Sequence, residues 1–292
     1  MLIVSHLIHG LQVGSIYALV ALGYTMVYGI IKLLNFAHGD VIMVGCYIAL
    51  FALTFGLNPV VASLLTVIGC TLLAVILEKL AYTPLRFAPR LSVLITAIGI
   101  SILLQNLAQY FFTANSRPFP RHLLLSIGNI ELGQIRLSYA FIVTMAVSIA
   151  SMVALTILVK GTKLGKAMRA VSEDTGASQL MGINANHIIT FTFAVGAALA
   201  GIGALLYGVH FPLINPTLGA MLGLKAFVAA VLGGIGSIPG TMIGGYAIGL
   251  LEALVTALGF SGWIDGAVFM VLIIVLMFRP TGIMGRPMME KV

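Results

Sequence analysis

Charge is what this sequence has least of. Of 292 residues, 15 are Lys or Arg and 8 are Asp or Glu, 8% together, where soluble domains carry about 25%. With 60% hydrophobic residues and a mean hydropathy of +1.14, a soluble globular fold is excluded. Polar–apolar alternation is also scarce. The apolar runs are long and unbroken, which excludes a β-barrel. Only two cysteines occur, Cys46 and Cys70. Both lie inside apolar runs, so neither a disulfide framework nor a metal site is expected. Residues 161–166 read GTKLGK, with the wrong spacing for a phosphate-binding loop and Ala167 next. His-Glu-x-x-His, Gly-x-Ser-x-Gly and paired-carboxylate arrangements are missing too. No enzyme activity and no cofactor of its own are expected. The net charge of +7 gathers at the ends of apolar runs, which reports topology rather than nucleic-acid binding.

What is present is an all-α polytopic membrane protein. A span needs about 20 apolar residues, fewer where a helix is broken. Nine stretches qualify: residues 7–31, 41–55, 60–77, 91–112, 139–159, 188–207, 221–232, 241–258 and 264–278. One of them can be re-entrant, so eight to nine segments are expected in a single transmembrane domain over residues 1–292. The first run lacks a charged leader and a cleavage site, so no removable signal is expected. Two polar stretches stand out, 113–138 and 160–187. With 160–187 in the cytoplasm, Lys32, Lys79, Arg86, Arg90, Lys160, Lys163, Lys166, Arg169, Arg279, Arg286 and Lys291 all fall inside. Arg117, Arg121 and Arg136 stay outside, and Lys225 lies within an apolar run. The positive-inside rule then puts 113–138 and the N-terminus outside and the C-terminus in the cytoplasm.

Residues 160–187 carry the densest charge in the chain. Leu164, Met168 and Val171 recur at helical spacing. The run Ser172 to Thr175 reads as a turn and a fresh N-cap, and a second short helix is expected to stop at Gly182. Such a helix pair cannot bury its own apolar face. It either packs on neighbouring spans or docks into a partner, against the plainer reading of a solvated basic loop.

Polar residues at membrane depth are costly and mark functional candidates. Asn35, Phe36, His38 and Asp40 surround Gly39. One reading is a broken helix restarting at Asp40, with its N-terminal dipole aimed at a water-filled cavity. The other is a tight turn at the membrane surface. Gly233, Gly234, Gly236, Pro239, Gly240 and Gly244 form a second constellation, in which glycines permit close helix contact and Pro239 is expected to force a break. Lys225 and Glu252 flank it and either pair with each other or contact a substrate; Lys225 can also snorkel to the outer interface. Both broken regions show an apolar helix, a glycine break and a glycine-spaced helix, a pattern suited to an internal repeat.

Four stretches carry a resemblance that covers essentially the whole chain: LNFAHGD (34–40), TKLGKAMRAVSEDTGASQLMGIN (162–184), LKAFVAAVLGGIGSIPGTMIGG (224–245) and FRPTGIMG (278–285). Together they resemble the permease subunit of a bacterial high-affinity branched-chain amino-acid ABC importer. The resemblance implies a bacterial inner-membrane protein paired with a second, homologous permease. It implies two ATP-binding subunits, which hold the ATP and Mg, and a periplasmic amino-acid-binding protein. It makes 160–187 the loop that docks into the ATPase, with Lys166, Arg169, Glu173, Ala177 and Gly182 as coupling candidates. The Glu-Ala-Ala…Gly signature of importer permeases survives only loosely here, around Glu173, Ala177 and Gly182. Asn35, Phe36, His38, Asp40, Lys225 and Glu252 are the candidates for the translocation path. Related permeases serve urea and short amides. An ion-coupled secondary transporter is the reading from another class, and would rely on Asp40, Glu252 and Asp265.

Overall fold

A computed structural model of the chain describes residues 2–32, 35–86, 88–124, 128–132 and 135–285. Helices α1 (Leu2–Ile31), α2 (His38–Thr54) and α3 (Pro59–Leu77) come first, and α3 runs on into one π-helical turn, Glu78–Tyr82. After α4 (Arg90–Phe112), the stretch read as a polar loop has structure of its own. It holds β1 (Arg117–Pro118), the single turn α5 (Arg121–Leu124), and the antiparallel ribbon of β2 (Asn129–Leu132) and β3 (Ile135–Ser138). Then follow α6 (Tyr139–Gly161), α7 (Lys163–Glu173), α8 (Thr175–Leu180) and α9 (Ala185–His210). The chain continues through β4 (Leu213–Ile214), α10 (Leu218–Gly233), α11 (Ile238–Ala257), a 3-10 turn at Ser261–Trp263 and α12 (Ile264–Phe278). Strand β4 pairs with β1 across the bundle.

The helix starts are written locally. Asn58, Ser138, Asn184 and Ser237 each cap a helix by accepting backbone N–H bonds. Pro59 and Pro239 both stand in a first helical turn. Pro239 therefore breaks nothing, contrary to expectation, because a first-turn proline has no intrahelical bond to lose. The break before it comes from Gly234 and Gly236, at φ +101° and +93°, a backbone region open chiefly to glycine.

Seven helices are long and apolar enough to cross a membrane, and α2 and α10 are shorter. At 1.5 Å per residue these two reach about 25 Å, less than the ~30 Å hydrocarbon core. Helices α1 and α9 lie antiparallel at the centre, with Gly23 against Gly196 and Val20 against Gly203. The most apolar outward faces belong to α3, α4, α6 and α12. A pseudo-twofold governs the packing. Exchange α1–α4 for α9–α12 and the contacts survive: α1 with α11 becomes α9 with α3, α1 with α10 becomes α9 with α2, and α2 with α4 becomes α10 with α12. The repeat is inverted, and its halves do not match where the sequence pattern suggested. The partner of residues 34–40 is not the Gly233 to Gly240 break but residues 214–220, INPTLGA, so that Asn35 answers to Asn215 and Gly39 to Gly219.

Candidate functional site

The two shorter helices, α2 and α10, meet N-terminus to N-terminus inside the bundle. A Cβ at Gly39 would lie 2.1 Å from the Gly219 carbonyl oxygen and 2.8 Å from the Gly223 Cα. Only glycine allows that approach. Helix α2 starts at His38, two residues before the expected restart, so His38 and Asp40 both belong to its first turn. His38 is 3% exposed and Asp40 is fully buried, which rules out a turn at the membrane surface. The open, water-filled cavity is not seen around them either. The His38 ring meets Tyr24 edge-on at 4.9 Å and fills the space a side chain at Gly23 would need. Asn35 accepts a 2.8 Å bond from the Tyr82 hydroxyl and borders a cleft of only about 10 Å³. Phe36 is half-buried against Phe227.

Asp40 changes the meaning of the crossing. Two helix N-termini point there, and each carries roughly half a positive charge. The anion between them is the chain's own. Asp40 Oδ1 accepts a 3.0 Å bond from Gln105 Nε2, about two-thirds of the way along α4, and would lie 2.6 Å from a Cβ on Gly219. Asp40 Oδ2 and His38 Nε2 have no hydrogen-bond partner.

Glycines form two further seams. Gly233, Gly240 and Gly244 join α10 to α11, where a Cβ on Gly244 would lie 2.0 Å from the Ala229 carbonyl. Gly245 and Gly249 face α1 at Ala18, Gly10 and Gly14, the small-residue contact the two Gly-xxx-Gly spacings suggest. Gly236 touches nothing closely and serves by its φ.

Lys225 does pair with Glu252, at 2.8 Å, and also with Asp265 at 2.7 Å. The Tyr17 hydroxyl donates to Glu252 at 3.1 Å. These groups border a cavity of about 360 Å³ at the end of the bundle where α1 begins and α11 ends. Sequence reading did not link Asp265 or Tyr17 to the pair, since they come from α12 and α1.

At the opposite end α7 and α8 form the expected helix pair. Thr162 caps α7, and Asp174 caps α8 by accepting from the Ala177 N–H at 3.0 Å. Gly182 takes φ +81° just beyond. Met168 and Val171 are buried, but Leu164 is exposed. Gly165 takes its place, pressed onto the Leu158 and Val159 carbonyls. Arg169 donates to the Val159 carbonyl and so ties α7 to the end of α6. Lys166, Glu173 and Ala177 are exposed. Leu180 and Met181, at the end of the second short helix, are 91% and 82% exposed.

A helical bundle of long apolar helices with two shorter ones butted inside it, and a polar helix pair at one end, fits one class: a polytopic membrane transport protein. The family model for the branched-chain amino acid transport system permease component matches residues 6–277. BraD of Pseudomonas aeruginosa, a high-affinity branched-chain amino acid transport system permease protein, is 45% identical over 98% of this chain and 97% of its own. LivH of Escherichia coli K12, described in the same terms, is 42% identical over 97% of this chain and 96% of its own. The chain belongs to the branched-chain amino acid transport permease family.

Proposed function

We propose that this chain is the permease subunit of an ABC importer that moves branched-chain amino acids across a bacterial inner membrane. The observation that carries the reading is near-full-length identity of 45% and 42% to two permeases of that description. The α7–α8 pair supports it, since Leu180 and Met181 expose apolar surface that a partner would bury. The partners are a second, homologous permease, two ATP-binding subunits that carry ATP and Mg, and a periplasmic amino-acid-binding protein. The N-terminus is periplasmic, and the end bearing α7 and α8 is cytoplasmic. The acidic groups an ion-coupled transporter would use are already engaged: Asp40 by Gln105, and Glu252 and Asp265 by Lys225. Proteoliposomes holding the assembled complex test the reading. Leucine uptake should require ATP inside the complex's nucleotide side and the binding protein on the other. Uptake driven by an ion gradient without ATP would overturn it.

A further inference from the structure

The mid-depth crossing accounts for the glycines and for Asp40. It leaves unexplained a second fully buried carboxylate, Glu78. This residue sits in the π-helical turn that extends α3, and its side chain has no exposed surface. Single π turns concentrate at functional positions. Glu78 is ion-paired with Arg86 and accepts 2.7 Å and 2.8 Å bonds from Thr83 and Thr190. Arg86 also donates to Asn186 in the first turn of α9. One carboxylate thus ties the end of α3, the elbow before α4 and the start of α9. Asn186 is the second residue of α9, six residues beyond the end of α8 at Leu180, and its N–H is held by the Asn184 cap, so the short α8–α9 turn leads straight to this knot.

The inverted repeat places a counterpart at the other end. Under the exchange, α3 becomes α11, α9 becomes α1, and the α3–α4 elbow becomes the α11–α12 elbow. Glu252, near the end of α11, accepts a hydroxyl from Tyr17 of α1 as Glu78 accepts one from Thr190 of α9. Its cation is Lys225, which also binds Asp265 at the start of α12. Two departures are that Lys225 comes from α10 where Arg86 stands in the elbow itself, and that the Glu252 and Asp265 side chains are 13% and 53% exposed where that of Glu78 has no exposed surface. Helices α4 and α12 are otherwise lightly attached, α4 chiefly to α2 and α12 to α10 and α11.

We infer that Glu78 and Glu252 centre two equivalent clasps, one at each end of the bundle, which pin the elbows of α4 and α12 and must release in turn for each transport cycle. The inference rests on the transport reading above. Both are positioning residues, since neither is placed against the cargo. Removing Glu78 leaves the mostly buried Arg86 uncompensated, whereas removing Glu252 leaves Lys225 held by Asp265 alone, whose side chain is 53% exposed; the Glu78 clasp therefore holds its end the more firmly. The coupling helices act directly on the Glu78 clasp, through Asn186.

Glu78→Gln and Glu252→Gln, each in the full complex in membrane vesicles, test this with buried cysteine reporters. Ile189→Cys reads the Glu78 end and Val13→Cys the Glu252 end, with Cys46 and Cys70 replaced by Ala. Without ATP, Glu78→Gln should raise labelling at its own end by roughly tenfold or more and Glu252→Gln by a smaller factor, and each should leave the opposite reporter unchanged. ATP hydrolysed per amino acid moved should rise in both. Unchanged labelling at both ends, or equal change at both ends from either variant, overturns the inference. Should either variant assemble poorly, the milder changes Thr190→Val and Tyr17→Phe, which each remove one hydroxyl donated to a clasp, replace them with the same labelling outcomes. Labelling reads the clasps whatever the cargo, so a complex with working clasps that carries no branched-chain amino acid would refute the transport reading alone.

Discussion

At the scale of single residues, the glycines divide sharply between those that join helices and those that do not. Gly39 stands against backbone on α10, and backbone cannot rotate away as a side chain can. Gly39→Ala should therefore cost roughly 1–3 kcal/mol or more, lower the melting temperature of the purified complex and abolish uptake. Gly99 is the matched control, because nothing lies within 4 Å of a Cβ added there. Gly99→Ala should leave melting and uptake unchanged; equal damage from the two would show that the α2–α10 contact is not what Gly39 protects. The importance of the stretch around Gly39 was legible in the sequence, as a cluster of polar groups in apolar surroundings. The role of Asp40 was not, since the second helix N-terminus it faces lies about 180 residues further on. Glu78 was illegible for a related reason. A carboxylate closing an apolar run looks like an interfacial charge until Arg86 and Thr190 fold around it.

At the scale of elements, the turn between α7 and α8 and the stop at Gly182 were legible in the sequence while the Thr162 start of α7 was not named, although all three caps are local chemistry. Thr162, Asp174 and Gly182 each act within three or four positions of themselves. Which face of the pair is buried was less legible. Helical spacing put Leu164 with Met168 and Val171, yet Gly165 makes the close approach to α6 and turns Leu164 outward. The exposed Leu180 and Met181 then give a testable division. Leu180→Ser with Met181→Ser removes surface that the permease itself does not bury, so insertion and melting should be unaffected. Co-purification of the ATP-binding subunits should fall severalfold. Gly182→Val strains a left-handed backbone position by about 1–2 kcal/mol and should reduce substrate-stimulated ATP hydrolysis while the permease still inserts. Normal ATPase retention and stimulation in both variants would remove α7–α8 from the docking surface.

At the scale of the whole molecule, the fold class and the apolar segments follow from composition and run length, and the repeat does not. Two halves of opposite orientation keep their packing partners while their sequences drift, so that INPTLGA preserves only the Asn and Gly positions of LNFAHGD. Orientation is the remaining global property, and the distribution of charge is the argument for the one proposed. The end that carries the Glu78–Tyr82 turn, α7 and α8 also holds Lys32, Lys79, Arg86, Lys160, Lys163, Lys166, Arg169 and Arg279. Arg117 and Arg121 lie at the other end, in β1 and α5, while Arg286 and Lys291 fall outside the described residues. A cation on the wrong side of a short loop opposes insertion, so this imbalance supports the proposed orientation, with the α7–α8 end in the cytoplasm. Ser116 and Gln179 are exposed at opposite ends. In intact cells lacking other reactive cysteines, a membrane-impermeant thiol reagent should label Ser116→Cys at once and Gln179→Cys only after the membrane is opened. The reverse order would invert the molecule and move the Glu252 cavity to the cytoplasmic side. Immediate labelling of both would mean that α6 does not cross, because it is the single span between 113–138 and α7.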